Sequence, residues 1–454
     1  MNSTRLALML TALGLAAAAA PAGTAVLEPK PVITLPAFNQ AGYPNTDVAD
    51  VNGDGRLDLV LFNYLNGPNR FEVRLNNGDG TFAAPVTTVI PGSAFARMYD
   101  FADLNGDARE DAVIAISPGG DNLMVMLGTL SGGFAFHSTL ASGGAVSYPL
   151  ALGDMNADGH TDIVANAGSG ISVRLGNGDA TFAPPIISGA TQGTAGELTL
   201  GDVDGDGDLD VISRSTLAST DSALSYYSVS LNDGSGTLSP LPQFTLPVRS
   251  FGEHLAQLDS TPAPELVVFG RRGTNFGAGG LFILRWTGTE YVTIHHTPWT
   301  SLMGEEFTVA DLDADGFAEI VIAQFGQLRI MANDGNAGFP TFTTIAGPDD
   351  PYDVLAADLF GTALPDLLAV RDTISGQRSL HPYENVTPVA PTCPADFSGD
   401  GVVNTADITA FLAAWFADLS GGTLASDFDG SGVVNASDIS AFLGAWFQDL
   451  ASGC

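Results

Sequence analysis

Basic residues are nearly missing from this 454-residue chain: one lysine, Lys30, and 15 arginines face 51 Asp and Glu, for a formal net charge of −35. Nucleic-acid recognition relies on basic patches, so the deficit argues against that partner class and against anionic membranes; cations are the natural partners. Cysteine is scarce too, with only Cys393 and Cys454, which bracket the last 62 residues. After the N-terminus no stretch reaches the roughly 18 apolar residues that a spanning helix needs. Charge itself is sparse at 15% against 45% hydrophobic residues, so the chain buries a core and its acid is concentrated. Gly 54 and Pro 26 imply many turns.

The N-terminus runs Met-Asn-Ser-Thr-Arg, then an apolar segment from Leu6 to Ala20, then small residues ending at Ala25. This is the layout of a secretory signal peptide over 1–25, and it predicts an exported product, extracellular, cell-surface or periplasmic, with no transmembrane span after signal removal.

Internal repeats decide the architecture. The stretches Asp50–Asp58, Asp103–Asp111, Asp154–Asp162, Asp202–Asp210 and Asp311–Glu319 share the pattern Asp-x-Asn/Asp-x-Asp-Gly/Ala-x-x-Asp/Glu, and two faded copies lie at Gln257–Glu265 and Asp358–Asp366. The period is about 51 residues. Each copy is followed by a short β-branched strand, then an alternating strand ending in a turn such as Asn77-Gly78 or Asn177-Gly178, then two more strands. Four strands per repeat and seven repeats predict a mainly β fold, a seven-bladed propeller over 26–386, with an open stack of the same units as the alternative. After the seventh loop only two strands fit. The ring is expected to close through N-terminal strands around Pro31–Leu35 and Thr46–Ala49.

Within the pattern, oxygen-bearing side chains recur at positions 1, 3, 5 and 9, a backbone carbonyl is offered at 7, and the small residue at 6 permits the sharpest bend. The candidate metal ligands are Asp50, Asn52, Asp54, Arg56 (carbonyl) and Asp58; Asp103, Asn105, Asp107, Arg109 (carbonyl) and Asp111; Asp154, Asn156, Asp158, His160 (carbonyl) and Asp162. Two further sets are Asp202, Asp204, Asp206, Asp208 (carbonyl) and Asp210, and Asp311, Asp313, Asp315, Phe317 (carbonyl) and Glu319. Hard oxygen ligands in a flexible loop suit Ca²⁺ better than Mg²⁺, which demands near-octahedral geometry. One such loop is also the pattern of a solvated turn; five in register point to metal. The faded loops, with Pro262 and Pro365, are read as metal-free.

On these motifs, Asp-Val-Asn-Gly-Asp-Gly-Arg-Leu-Asp-Leu-Val and Leu-Asn-Asn-Gly-Asp-Gly-Thr-Phe, the repeats resemble FG-GAP/VCBS repeats, the blades of integrin-α-like propellers. That resemblance implies an extracellular calcium-binding propeller engaged in adhesion, ligand recognition or scaffolding.

A Pro/Thr linker, 387–392, leads to a C-terminal module, 393–454. Its two near-copies, Asp396–Asp407 and Asp427–Asp438, follow the 12-residue EF-hand loop with Asp at the last position, and each precedes an i, i+3, i+4, i+7 apolar stripe: Ile408, Phe411, Leu412, Trp415 and Ile439, Phe442, Leu443, Trp446. Candidate ligands are Asp396, Ser398, Asp400, Val402 (carbonyl), Asn404 and Asp407, and Asp427, Asp429, Ser431, Val433 (carbonyl), Asn435 and Asp438. The module resembles a type I dockerin, with the Ser-Gly-Cys ending of GC-type dockerins. The resemblance implies a calcium-folded α-helical domain with a cohesin-like or cell-surface anchoring partner. No Lys or Arg follows Arg378, a departure from dockerins whose later helix positions are basic. A Cys393–Cys454 disulfide is the leading reading of the cysteine pair; processing or attachment at Cys454 is the alternative.

The expected cofactor is Ca²⁺, about five ions in the propeller and two in the module. No catalytic residue is assigned. His295 and His296 are adjacent in a strand and so face opposite ways, and no nucleophile elbow, zinc-protease motif or phosphate loop occurs. The leading expectation is an exported, non-catalytic calcium-binding propeller assembled through its C-terminal module. A lectin is the alternative, with Tyr43-Pro44, Tyr148-Pro149 and Pro351-Tyr352 as aromatic candidates, and a polysaccharide-degrading enzyme the third. Asn385-Val-Thr387 fits a glycosylation sequon.

Overall fold

A computed structural model describes the chain except for residues 1–24, 36–44, 64–67, 93–95, 117–121, 142–148, 169, 190–194, 216–223, 272–278, 300–305, 325, 350, 363, 373–377, 388–394, 399–402, 422–425, 427, 429–432 and 453–454. Residues 1–24 of the expected signal peptide, Tyr43, Pro44, Tyr148, Asp400, Val402, Asp427, Asp429, Ser431, Cys393 and Cys454 lie outside the described residues, as does the side chain of Tyr352. The chain divides into two compact units between Thr387 and Pro388.

The first unit consists of seven antiparallel sheets. The first blade is Asn45–Ala49, Asp58–Asn63, Arg70–Arg74 and Val86–Val89. The sixth is Phe307–Ala310, Glu319–Gln324, Gln327–Ala332 and Thr341–Ala346. In the seventh, Pro351–Ala357, Asp366–Asp372 and Arg378–Asn385 are completed by N-terminal strands Leu27–Pro29 and Ile33–Thr34, both on the third strand. Closure from the N-terminus is thus observed at Ile33–Thr34. Asn45–Ala49 instead pairs inside the first blade, so the sequence repeat, which starts at the acidic loop, is offset from the blade by one strand.

Alternation along each second strand explains why the blades form a ring. Successive side chains point to opposite faces. Val60 and Phe62 therefore pack with Tyr99, Phe101 and Ile114 of the second blade, while Leu59 and Leu61 pack with Leu368, Val370 and Leu380 of the seventh. Buried clusters of this kind fill every seam. The seam between the seventh and first blades closes the seven-bladed propeller, which leaves no open face for a further blade.

The second unit is built on helices α1 (Thr405–Gly421) and α2 (Ala436–Ser452). Phe411 and Phe442 are fully buried and stack with ring centroids 4.2 Å apart. Around them the two halves exchange equivalent bonds: Trp415 Nε1–H donates to the Asn435 carbonyl at 2.9 Å, and Trp446 Nε1–H to the Asn404 carbonyl at 2.8 Å. Ala395 N–H binds Asp449 at 2.9 Å and Ser426 N–H binds Asp418 at 2.7 Å. Each pair is offset by 31 residues, so the internal sequence repeat is realised as a pseudo-twofold core.

Candidate metal centres and the belt that holds them

Every acidic loop joins the first strand of a blade to its second, which sets all of them on one face of the ring. The position 1 carboxylate organises the turn. In the first loop Gly53 and Asp54 N–H groups donate to Asp50 Oδ1 at 2.8 and 3.1 Å, and Gly55 N–H to Oδ2 at 2.8 Å. Asp202 repeats the arrangement with Gly205, Asp206 and Gly207 at 2.7, 3.0 and 3.0 Å. Asp103, Asp154 and Asp311 receive the position 6 N–H at 2.8, 2.8 and 2.9 Å. Position 6 must adopt φ near +60 to +100°, as Gly55 (82°) and Gly207 (98°) do, and Ala108 accepts 65° in the second loop.

Positions 3 and 5 each spend one oxygen on the turn. Asp54 N–H donates to Asn52 Oδ1 at 3.0 Å, and Arg56 N–H to Asp54 Oδ1 at 3.0 Å. The other Asp54 oxygen accepts from Asn52 Nδ2 at 3.2 Å. In the fourth blade, carboxylate oxygens of Asp202, Asp204 and Asp210 lie within 4.8 Å of one another; in the sixth, those of Asp311, Asp313 and Asp315 do. Oxygens on opposite sides of a calcium ion, at about 2.4 Å each, are separated by about that distance. An all-oxygen donor set in such a turn fits Ca²⁺. At position 7, Arg56 and Arg109 turn their guanidinium groups onto the position 5 carboxylates, Asp54 at 3.2 Å and Asp107.

Position 9 has a second function that ligand spacing does not reveal. Asp58, Asp111, Asp162 and Asp210 are fully buried, and each clasps two backbone amides with its two oxygens: the N–H at position 2 of its own loop and an N–H at the end of the third strand. For Asp58 these are Val51 at 3.2 Å and Asn76 at 2.9 Å; for Asp210, Val203 at 2.9 Å and Asn232 at 2.8 Å. The faded seventh loop keeps the clasp, with Leu359 and Asn385 N–H on Asp366, both at 2.7 Å. Glu265 holds Leu258 N–H at 3.2 Å in the fifth. All seven loops therefore retain an acid at position 9, whether or not the rest of the pattern survives. Burial pushes these carboxyls up, Asp58, Asp111 and Asp210 to about 7, Asp162 and Asp366 to about 6 and Glu319 to about 8.

An asparagine at the end of the third strand ties neighbouring blades together. Asn76 Nδ2 donates to the Leu57 and Leu359 carbonyls at 3.1 and 2.8 Å, linking the first loop to the seventh. Asn232, Asn333 and Asn385 repeat this toward Met155, Leu258 and Leu312 of the preceding blades at 2.7, 3.0 and 2.8 Å. Sequence patterning missed this clamp, although the Asn in Leu75-Asn76-Asn77-Gly78 and Leu231-Asn232-Asp233-Gly234 was its signal. The sequon residue Asn385 is the seventh blade's clamp: it is 1% exposed and its amide is committed to two carbonyls, which closes it to glycosylation in the folded chain.

In the second unit the described ligand candidates are Asp396, Ser398, Asn404, Asp407, Val433, Asn435 and Asp438. Positions 9 and 12 form capping boxes. Asn404 Oδ1 accepts from Ala406 N–H at 2.7 Å while Asp407 Oδ2 accepts from Asn404 N–H at 2.7 Å; Asn435, Ser437 and Asp438 do the same. Burial works against the charge on Asp407, but amide bonds from Asn404 and Ser398 outweigh it and hold its carboxyl below the usual range.

Away from the loops, Arg214 is buried between the fourth and fifth blades, its Nε on Glu253 at 2.7 Å and its Nη2 on Glu197. His296 stacks on Phe282 at 4.2 Å while His295 bonds Thr297 Oγ1 at 2.8 Å, each on its own side of the strand.

A family model described as FG-GAP-like repeat matches residues 50–114, 103–165, 154–213 and 311–369, each match opening on the position 1 Asp of a full acidic loop. No curated protein matches the chain. Among solved structures, an Agrocybe aegerita lectin, described as recognising non-reducing terminal N-acetylglucosamine, aligns at 21% identity over 67% of this chain and 80% of its own, with a TM-score of 0.47. The Photorhabdus luminescens Tc holotoxin pore aligns at 17% identity over 82% of this chain, with a TM-score of 0.43, and the alignment spans 15% of the pore chain. The chain thus carries FG-GAP-like repeats on a seven-bladed β-propeller.

Proposed function

We propose that the protein is an exported, non-catalytic calcium-binding propeller whose five full loops each take one Ca²⁺, displayed through a dockerin-like C-terminal module that takes two more. The observation that carries this reading is the shared frame of the five loops, in each of which the position 1 carboxylate accepts the position 6 amide and so sets the same turn. In the fourth and sixth blades three carboxylates converge within 4.8 Å. Ca²⁺ would supply charge neutralisation there, and the chain's own residues hold the turn, fix the second strand and seal the seam to the next blade. Adhesion, ligand recognition or scaffolding is the role this reading assigns to the closed ring of blades.

The display role draws support from the second unit. Phe416 and Leu419 on α1 are 64% and 52% exposed, and Phe447 and Leu450 on α2, 31 residues on, are 65% and 48% exposed. Equivalent apolar pairs on the two halves suit a partner with an apolar socket that docks in either of two orientations. Isothermal titration of the chelated protein with Ca²⁺ tests the metal reading, and pull-down with the full chain against its Phe416→Ser/Phe447→Ser variant tests the docking one. Binding of no Ca²⁺ up to about 10 mM, well above the roughly 10⁻⁴ to 10⁻³ M expected of extracellular modules, overturns the first; equal capture of partners by both proteins overturns the second.

A further inference from the structure

The fifth loop, Gln257–Glu265, has lost the position 1 carboxylate yet keeps acids at positions 3 and 9. Asp259 is 7% exposed and Glu265 is fully buried, so the two carboxylates need a counter-charge. The blade provides its own. Arg285, next to last in the third strand Gly279–Trp286, donates Nε–H to Glu265 Oε1 at 2.9 Å and Nη2–H to Asp259 Oδ2. Thr261 at position 5 gives its N–H and hydroxyl to Asp259 Oδ1 at 2.8 and 2.6 Å. Gln257 at position 1 reverses polarity altogether: its amide donates to the Asp259 and Thr261 carbonyls, the latter at 2.6 Å.

Strand register shows how selective this placement is. The pairs Leu59↔Arg74, Ala112↔Met126, Ile163↔Arg174, Val211↔Ser230 and Ile320↔Met331 put Leu75, Leu127, Leu175, Leu231 and Ala332 at the position equivalent to Arg285. Blades with the full oxygen set are apolar there. The two faded blades are charged: Arg285 in the fifth, and in the seventh Glu384, which pairs with Lys30, the chain's lysine. Lys30 Nζ lies 6.0 Å from the ring of Phe360, the position 3 residue of that loop. Pro262, at position 6 of the fifth loop, has a fixed negative φ and cannot adopt the +65 to +98° of Ala108 and Gly207, so this loop closes by another route.

We propose that the Arg285 guanidinium is a built-in cation that closes the fifth loop in the role Ca²⁺ takes in the five full loops, which makes this blade independent of divalent cations. The comparison with the full loops rests on the calcium reading; the function of Arg285 in its own loop does not.

Hydrogen exchange on the full chain tests it, with Ca²⁺ and with chelator, in the unaltered protein and in Arg285→Gln, Arg285→Lys and Asp259→Asn. Chelation is expected to speed exchange about tenfold or more in 50–58 and 311–319 and to leave 257–265 protected, since each tenfold is about 1.4 kcal/mol of local stability. Arg285→Gln is expected to deprotect 257–265 equally with and without Ca²⁺, with Arg285→Lys intermediate because it keeps charge without the fork. Should Arg285→Gln fail to fold, Arg285→Lys and Asp259→Asn carry the same expectation at smaller amplitude. Unchanged protection of 257–265 in these variants overturns the proposal, as does loss of protection there on chelation of the unaltered protein. If chelation alters no loop, the calcium reading falls, and the Arg285 variants still decide whether the guanidinium closes its loop.

Discussion

The fifth and sixth blades sit side by side and meet one electrostatic problem in opposite ways. Both must turn the chain between first and second strands around buried acid. The sixth gathers Asp311, Asp313 and Asp315, whose charge the proposed Ca²⁺ would neutralise; the fifth lacks the position 1 acid and sets Arg285 between Asp259 and Glu265. What both keep is the position 9 acid clasping a position 2 amide, Glu319 to Leu312 at 2.9 Å and Glu265 to Leu258 at 3.2 Å. The clasp belongs to the fold; the proposed ion would belong to the loop type. A residue can therefore be invariant among the repeats of one chain for a reason unrelated to the ligand its pattern suggests.

Chelation is the largest expected blow to this contrast. At ten to a hundred times its dissociation constant each site adds roughly 1.4 to 2.7 kcal/mol, so emptying several should lower the propeller's melting temperature by about 10 °C or more. Calorimetry with and without chelator checks this.

Alanine at position 9 comes next and separates clasp from ligand. Glu265→Ala in the cation-independent loop and Asp58→Ala in a full loop should each cost about 2 to 4 kcal/mol, because buried amides lose their acceptors. If Glu265→Ala is silent in denaturant titrations, the acid is a ligand relic and not a clasp.

Asn333→Ala, which removes the side-chain donor to the carbonyls of Leu258 and Ala318, should cost about 1 to 3 kcal/mol and do so equally with or without Ca²⁺. Full dependence on Ca²⁺ would make the clamp part of the metal site.

The smallest effect concerns pH. Burial raises Asp58, Asp111 and Asp210 to about 7 and Glu319 to about 8 in the folded chain. A carboxyl raised above its unfolded value binds its proton more tightly when folded, so its stabilising contribution is full below about 4 and is lost as pH rises through the raised values. The chelated propeller should then melt a few degrees higher at about pH 5 than at about pH 7.5. Ca²⁺, which favours the ionised form, should flatten or reverse that slope; a chelated protein that gains stability toward neutral pH contradicts the assignment.

Much of this was legible in the sequence because it is periodic. Seven acidic loops at a regular spacing, each leading into a β-branched strand, specify blades, and a shortage of strands after Asp366 points to closure from the N-terminus. The acidic pattern also marks which loops have lost oxygens. What escaped is contact between repeats. Asn76 and Asn385 bond carbonyls of the preceding blade, and nothing in a linear pattern says where a side-chain amide will reach. Arg285 reads as an ordinary polar residue of an alternating strand until strand register aligns it with Leu75 and Leu231. The offset of repeat and blade was hidden for a related reason: Asn45–Ala49 precedes the first loop in sequence but pairs within the first blade.

On the proposed reading the five full loops take Ca²⁺ and the two faded ones do not. Equilibrium dialysis with about 10 mM Ca²⁺ and metal analysis of the full chain, compared with an Asp311→Ala/Asp315→Ala variant and with Glu265→Ala, tests it most directly. About seven ions are expected in the unaltered chain, five in the ring and two in the C-terminal unit, with one lost in the first variant and none in the second. A folded chain that retains no Ca²⁺, or that loses an ion when the fifth loop is altered, would contradict it.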